Sequence, residues 1–237
     1  MFFDPFYWLV IGIGMVLGLW AQFKVKSAFA KYSAMRSASG LTGAQVAKRI
    51  LADNGISDVR VESVAGELND HYDPRTKTLR LSEPVYASNS MAAFGVAAHE
   101  VGHAIQHAQR YAPLMLRSAW VPVANIGSGL SWIIIMAALF MGGAGTALGS
   151  QLALLGVLLF ATTTFFTLVT LPVEFDASRR ALVALERGGY VSTPELQGAR
   201  RVLNAAALTY VAAFITSALT LLYWAIRLGL LGGRSRE

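Results

Sequence analysis

Residues 151–180 read QLALLGVLLFATTTFFTLVTLPVEFDASRR, and residues 151–173 of that stretch carry no charge. At about 1.5 Å per residue, such a run is long enough to cross about 30 Å of hydrocarbon as a helix. Glu174, Asp176, Arg179 and Arg180 follow at once. Acidic side chains that close to hydrocarbon are costly and generally have a partner or a task. The stretch therefore predicts a membrane-spanning helix that ends in a charged motif at the membrane surface.

Three further spans are predicted outward from it, at about Phe6 to Phe23, Val121 to Gly143 and Ala205 to Leu231. The first has Trp8 and Trp20 near its ends and is followed by Lys24, Lys26 and Lys31. A cleaved signal peptide would need its basic residues in front, and the chain starts Met-Phe-Phe-Asp, so an uncleaved anchor is expected. The second and third spans are joined by the uncharged run GGAGTALGS, read as a short turn outside the membrane. Arg110 and Arg117 precede the second span, and Arg179, Arg180, Arg187, Arg200 and Arg201 lie between the third and fourth. This bias puts both long polar segments on the cytoplasmic side, although Arg234 and Arg236 point the other way.

Composition agrees with a membrane protein: 54% of the 237 residues are hydrophobic and only 14% charged. A net charge of +6 raises nucleic-acid binding, but the basic residues flank apolar stretches and form no aromatic-interleaved patch. No nucleic-acid partner is expected; the lipid bilayer is. With no cysteine, a transition-metal site must use His and carboxylates. The expected fold is mainly α and integral to the membrane, with about four transmembrane helices and a small α+β cytoplasmic region. Residues 1–237 read as a single domain, with 6–23, 121–143, 151–173 and 205–231 in the membrane and 24–120 and 174–204 forming cytoplasmic catalytic segments.

Within the first polar segment, Thr42-Gly-Ala-Gln45 is a capping-box start, Val46, Ala47, Ile50 and Leu51 form an apolar helical face, and Gly55 is a stop. Val59 to Val64 alternates like a strand, Asp73-Pro-Arg-Thr is a turn, and Thr78 to Leu81 alternates again. A short hairpin or small sheet is predicted.

The run Val96-Ala-Ala-His99-Glu100-Val-Gly-His103-Ala-Ile105 contains His-Glu-x-x-His within a predicted helix from Met91 to Ala108. Histidines four apart share a helix face, so both imidazoles can reach one zinc ion, with Glu100 beside the activated water. A five-residue motif arises often by chance, but here every residue flanking Glu100 is uncharged, unlike a solvated helix. Buried His and Glu without partners are costly, and a metal offsets that cost. His107 lies about 12 Å along the axis from His99, too far for bonds of about 2 Å to the same ion. The third ligand is sought instead at Glu174, with Asp176 as the alternative and plain ion pairing to Arg179 or Arg180 as the non-catalytic reading.

Together, HEVGHAIQ, the upstream NDHYDPR, LSEP, the opening LTGA and EFDASRR resemble the YugP-type neutral zinc metallopeptidases of bacteria along nearly the whole chain. More distantly the pattern is similar to HtpX-type and CAAX prenyl proteases, where the Glu of a Glu-Phe-x-Ala-Asp motif completes the zinc site. That resemblance implies Glu174 as third ligand and Glu100 as catalytic base. It implies a Zn2+-dependent endopeptidase acting on a protein or peptide substrate, in the bacterial inner (plasma) membrane with a cytoplasmic active site. Ser178 stands where the distant relatives carry Asp, so its orienting role is expected to pass to Asp176; only one span precedes His99, which also departs from them. Thr78 to Leu81 is a candidate edge strand for an extended substrate, with an ordinary hairpin strand as the alternative. His71, Arg179 and Arg180 are candidates for stabilising the oxyanion. A site-2-type intramembrane protease and a non-hydrolytic metal-binding membrane protein are the competing classes.

Overall fold

A computed structural model describes residues 4–231. The elements in chain order are α1 (Pro5–Ser33), α2 (Gly43–Asp53), β1 (Arg60–Val64), β2 (His71–Asp73), β3 (Thr78–Ser82), α3 (Glu83–Tyr86), α4 (Met91–Ala108), α5 (Ala112–Phe140), α6 (Ala147–Arg187) and α7 (Thr193–Arg227). Four of these, α1, α5, α6 and α7, are long and apolar enough to cross a membrane. The protein is thus mainly α, with four membrane-spanning helices and a small α/β region. Arg234 and Arg236 lie outside the described residues. α6 outruns its predicted span at both ends, by fourteen residues beyond Val173, because the charged motif after the span has good helix formers and no break. By contrast, α5 and α7 start before their predicted spans and stop at Phe140 and Arg227, short of Gly143 and Leu231.

The chain divides into two compact units. The first comprises residues up to Leu19, Leu116–Thr170 and from Tyr210 onward. Small residues let its helix backbones approach: a Cβ on Gly127 would lie 2.7 Å from the Leu159 carbonyl oxygen. Most hydroxyls bond carbonyls of their own helix, as Thr162 does to Leu159 (2.7 Å) and Thr216 to Ala212 (2.8 Å). Thr164 and Ser217 form a bond between helices, 2.8 Å long.

The second unit comprises Trp20–Met115 and Leu171–Thr209. Here α2 starts on the predicted capping box, with Gln45 N–H donating to Thr42 Oγ1 and Thr42 N–H to Gln45 Oε1. Its Val46, Ile50 and Leu51 join Leu79, Leu81, Phe94, Ala97, Val101 and Leu185 in one apolar core. The sheet has strand order β1-β3-β2. β2 and β3 form the antiparallel hairpin, Tyr72 opposite Leu79, around a turn in which Asp73 accepts from the Arg75 N–H and the Thr76 hydroxyl, both at 2.9 Å. β1 runs parallel to β3 on its other side, Val61 opposite Leu79. The expectation of an edge at Thr78 to Leu81 is corrected: β3 is the central strand and Thr78, Leu79 and Leu81 are buried. An alternating five-residue run cannot report how many neighbours it has, and the edges belong to β1 and β2.

Candidate metal centre

Ser90 caps α4 by accepting from the Ala93 N–H at 3.2 Å, and the helix ends at Ala108, as its sequence predicts. All of α4 from Met91 to Gln106 is buried except Val96 and His99, which are half-buried; His107 is also half-buried. The absence of charge around the motif is therefore the mark of a core helix. Gly102 faces the motif of α6, where an added Cβ would sit 2.4 Å from the Ala177 carbonyl oxygen. That close approach brings Glu174 to the histidines.

The ligand-type atoms of His99, His103 and Glu174 all lie within 4.8 Å of one another. Glu174 Oε2 is 3.2 Å from His99 Nε2 and 3.6 Å from His103 Nε2. A tetrahedral zinc with bonds of about 2.0–2.1 Å has ligand–ligand edges of about 3.3 Å, so this donor set fits the ion. Glu174 is 3% exposed. Burial alone would raise its pKa, but hydrogen bonds with His103 and His99 outweigh burial and hold it well below the usual carboxylate range. Burial likewise opposes the charged form of His103, yet Glu174 and the nearby charge of Glu100 keep its pKa above the ordinary value. Glu100 itself is 9% exposed, and among the described residues its carboxylate has no hydrogen-bond or ion-pair partner.

Each histidine is steered from its other nitrogen. His103 Nδ1 lies 3.0 Å from Gln106 Oε1, and His99 Nδ1 lies 3.1 Å from Ser178 Oγ. The Gln106 amide nitrogen donates to the Val173 carbonyl (2.8 Å) and to Asp176 Oδ2 (3.0 Å). A backbone carbonyl only accepts, so the Gln106 oxygen must face His103, where it accepts the Nδ1 proton and leaves the Nε2 lone pair toward Glu174. Asp176 is in turn bonded by Arg179 and Arg180. The orienting role expected of Asp176 is thus divided. Asp176 reaches His103 only through Gln106, and Ser178 keeps its own imidazole despite lacking a carboxylate. Gln106 was readable in the sequence as the one polar residue of the buried face after His103.

Of the oxyanion candidates, Arg179 and Arg180 both bond Asp176. His71 is exposed on β2, its Nδ1 2.8 Å from the Asn69 carbonyl and its Nε2 3.4 Å from Arg80. Arg180, besides Asp176, donates to Gln109 Oε1 at 2.5 Å and lies 5.4 Å from the Tyr111 ring centre. His107 stands apart from the metal cluster, its Nδ1 2.8 Å from the Tyr72 hydroxyl.

Two histidines one turn apart and a distal Glu, carried by a protein with four membrane-spanning helices, are the arrangement of a membrane zinc protease. The chain belongs to the family described as "Putative neutral zinc metallopeptidase", which it matches over residues 7–229. It is similar to the "Putative membrane protease YugP" of Bacillus subtilis, at 51% identity over 207 residues that cover 87% of this chain and 89% of that protein. No solved structure matches the chain.

Proposed function

We propose that the protein is a zinc-dependent endopeptidase that hydrolyses peptide bonds of protein or peptide substrates at the cytoplasmic face of the bacterial plasma membrane. The observation that carries this reading is the convergence of His99, His103 and Glu174 with the buried carboxylate of Glu100 next to them in sequence and acting electrostatically on His103. Zinc, when bound by these three side chains, polarises the substrate carbonyl and acidifies water. Glu100 takes the proton of the attacking water and returns it to the amine that leaves when the C–N bond breaks. Gln106 and Ser178 hold the two imidazoles in the ligating orientation. Asp176 and its arginines fix Gln106, and the chain acts as one membrane metallopeptidase domain with 24–120 and 174–204 on the cytoplasmic side.

An intramembrane site of the site-2 type would need its histidine helix immersed, and α4 is not among the helices apolar enough to cross a membrane. The test compares purified wild type with Glu100→Gln on an unstructured protein, zinc being measured in both. Wild type is expected to carry about one zinc and to cleave at least 10³-fold faster than a Glu100→Gln protein of equal zinc content. Equal cleavage removes Glu100 from the reaction, and a wild type without zinc ends the proposal.

A further inference from the structure

Before its exposed last residue Ala108, the half-buried residues of α4 fall on the face that carries the histidines. Val96, His99 and His107 are half-buried and share one face, at three- and four-residue spacings, with Glu100 and His103, each 9% exposed, and the remainder of the helix from Met91 to Gln106 is also buried. The metal cluster occupies the middle of that face and His107 its end, about 6 Å along the axis from His103. Helix side chains lean toward the N-terminus, which carries the His107 ring back toward the cluster. His107 is too far from His99 to be a ligand, yet one turn from His103 is where a group serving the substrate rather than the metal would stand.

The hydrogen bond of His107 is the reverse of that of His103. At His103, Gln106 presents an oxygen that only accepts, which forces the proton onto Nδ1. At His107, the partner is the Tyr72 hydroxyl, a better donor than acceptor because its lone pair is shared with the ring. Burial first, then the charges of Asp58 and Asp73, push the Tyr72 phenol up to about 12, so it remains protonated and able to donate. If Tyr72 donates to Nδ1, the neutral His107 ring carries its proton on Nε2. Among the described residues that nitrogen has no partner.

We propose that His107 donates a hydrogen bond from Nε2–H to the oxygen of the scissile carbonyl, and that Tyr72 is the positioning residue that selects this tautomer. The inference rests on the metallopeptidase reading. As the water oxygen bonds to the carbonyl carbon, the C=O π pair moves onto the carbonyl oxygen; His107 stabilises that charge while keeping its proton. When the C–N bond breaks, the electron pair returns to C=O and the nitrogen takes the proton that Glu100 removed from water. Arg179 and Arg180, bound to Asp176, and the exposed His71 are then not needed for this task.

The test uses the full-length protein in detergent. His107→Phe is expected to lower kcat by about 10²–10³-fold, with KM within about threefold and zinc content unchanged. His107→Gln, which offers an amide N–H near the Nε2 position, recovers about tenfold or more of that loss. Tyr72→Phe costs about tenfold alone and nothing further in the His107→Phe background, because it acts only through His107. Independently of activity, nitrogen-15 NMR of metal-free wild type should show His107 protonated at Nε2 and bare at Nδ1, with the two tautomers mixed in Tyr72→Phe. A wild type that cleaves while both single variants cleave equally well, or an Nδ1-protonated His107, overturns this inference and leaves the metal centre standing. A wild type that neither binds zinc nor cleaves overturns both.

Discussion

Thr164 with Ser217 in the bundle unit, and His103 with Gln106 in the other unit, are both buried polar pairs joined by a side-chain hydrogen bond, 2.8 Å and 3.0 Å long. They differ in what surrounds them. The bundle hydroxyls have carbonyls of their own helices within reach, as Thr162, Thr167 and Thr170 demonstrate, so a lost partner is readily replaced. Such bonds between membrane helices average about 0.6 kcal/mol. Gln106 has no such reserve. Its oxygen serves His103, its nitrogen serves Val173 and Asp176, and Asp176 holds two arginines, so each link fixes the direction of the next. Polar groups in the bundle are exchangeable, whereas those around the metal centre are directional.

Removing Glu174 should expose that difference most. Glu174→Ala is expected to abolish stable zinc binding and with it cleavage, since two neutral imidazoles remain where three donors converged. Asp176→Asn should retain zinc, with affinity weakened about 10–100-fold, because it loosens only the outer hydrogen bonds. Thr164→Val should change neither. Metal analysis after dialysis against a graded chelator separates the three. Zinc retained in Glu174→Ala but lost in Asp176→Asn would make Asp176 the ligand and break the directional chain.

Those elements whose signal is local were legible in the sequence. The capping box of α2, the bounds of α4, the four spans and the clustering of His99, His103 and Glu174 each follow from patterns within a few residues, or from the cost of an acid beside hydrocarbon. What was not legible depends on through-space neighbours. Nothing in Thr78 to Leu81 says that β1 will pair with it in parallel, so the sequence leaves an edge strand open where the structure has a central one. The polarity of Gln106 is visible in the sequence, but its two amide partners, the Val173 carbonyl and Asp176, are not. Ser178 looked like the loss of an orienting carboxylate, yet its hydroxyl reaches His99.

Glycine substitutions sharpen the comparison at intermediate size. In Gly102→Ala the new methyl would lie 2.4 Å from the Ala177 carbonyl oxygen, and a backbone cannot rotate away. The expected cost is about 2–3 kcal/mol of stability, together with weaker zinc binding as Glu174 is pushed from the histidines. In Gly156→Ala the nearest atom, at 2.7 Å, is the Cγ1 of Ile135, a side chain, and the nearest backbone atom is the Ile135 nitrogen at 3.1 Å. That cost should be smaller, about 1 kcal/mol, because the closest clash is with a side chain and the backbone contact is looser. Chaotrope unfolding in detergent, read beside zinc affinity, distinguishes them, and equal penalties would mean that the metal-centre contact is no tighter than ordinary helix packing.

Acid gives the smallest and most selective effect. Of the fourteen acidic residues, all but Asp4 and Glu237 lie in the unit that carries the metal centre. Burial tends to raise the Asp176 pKa, but Arg180, Gln106 and Arg179 outweigh it and hold the carboxyl below its ordinary value. A carboxyl whose folded pKa is depressed contributes stability that is complete above its unfolded value, about 3.9, and lost as pH falls through the folded one. Each unit of depression is worth about tenfold in protection. Zinc-free protein brought from pH 5 toward pH 2 should therefore lose amide protection over residues 91–109 and 174–187 while residues 121–140 keep theirs. In Asp176→Asn the loss over 174–187 should already be present at pH 5 and change little with acid. Equal loss in the α5 amides would show that the two regions unfold as one, and that the ionic chain behind the histidines contributes no separate stability.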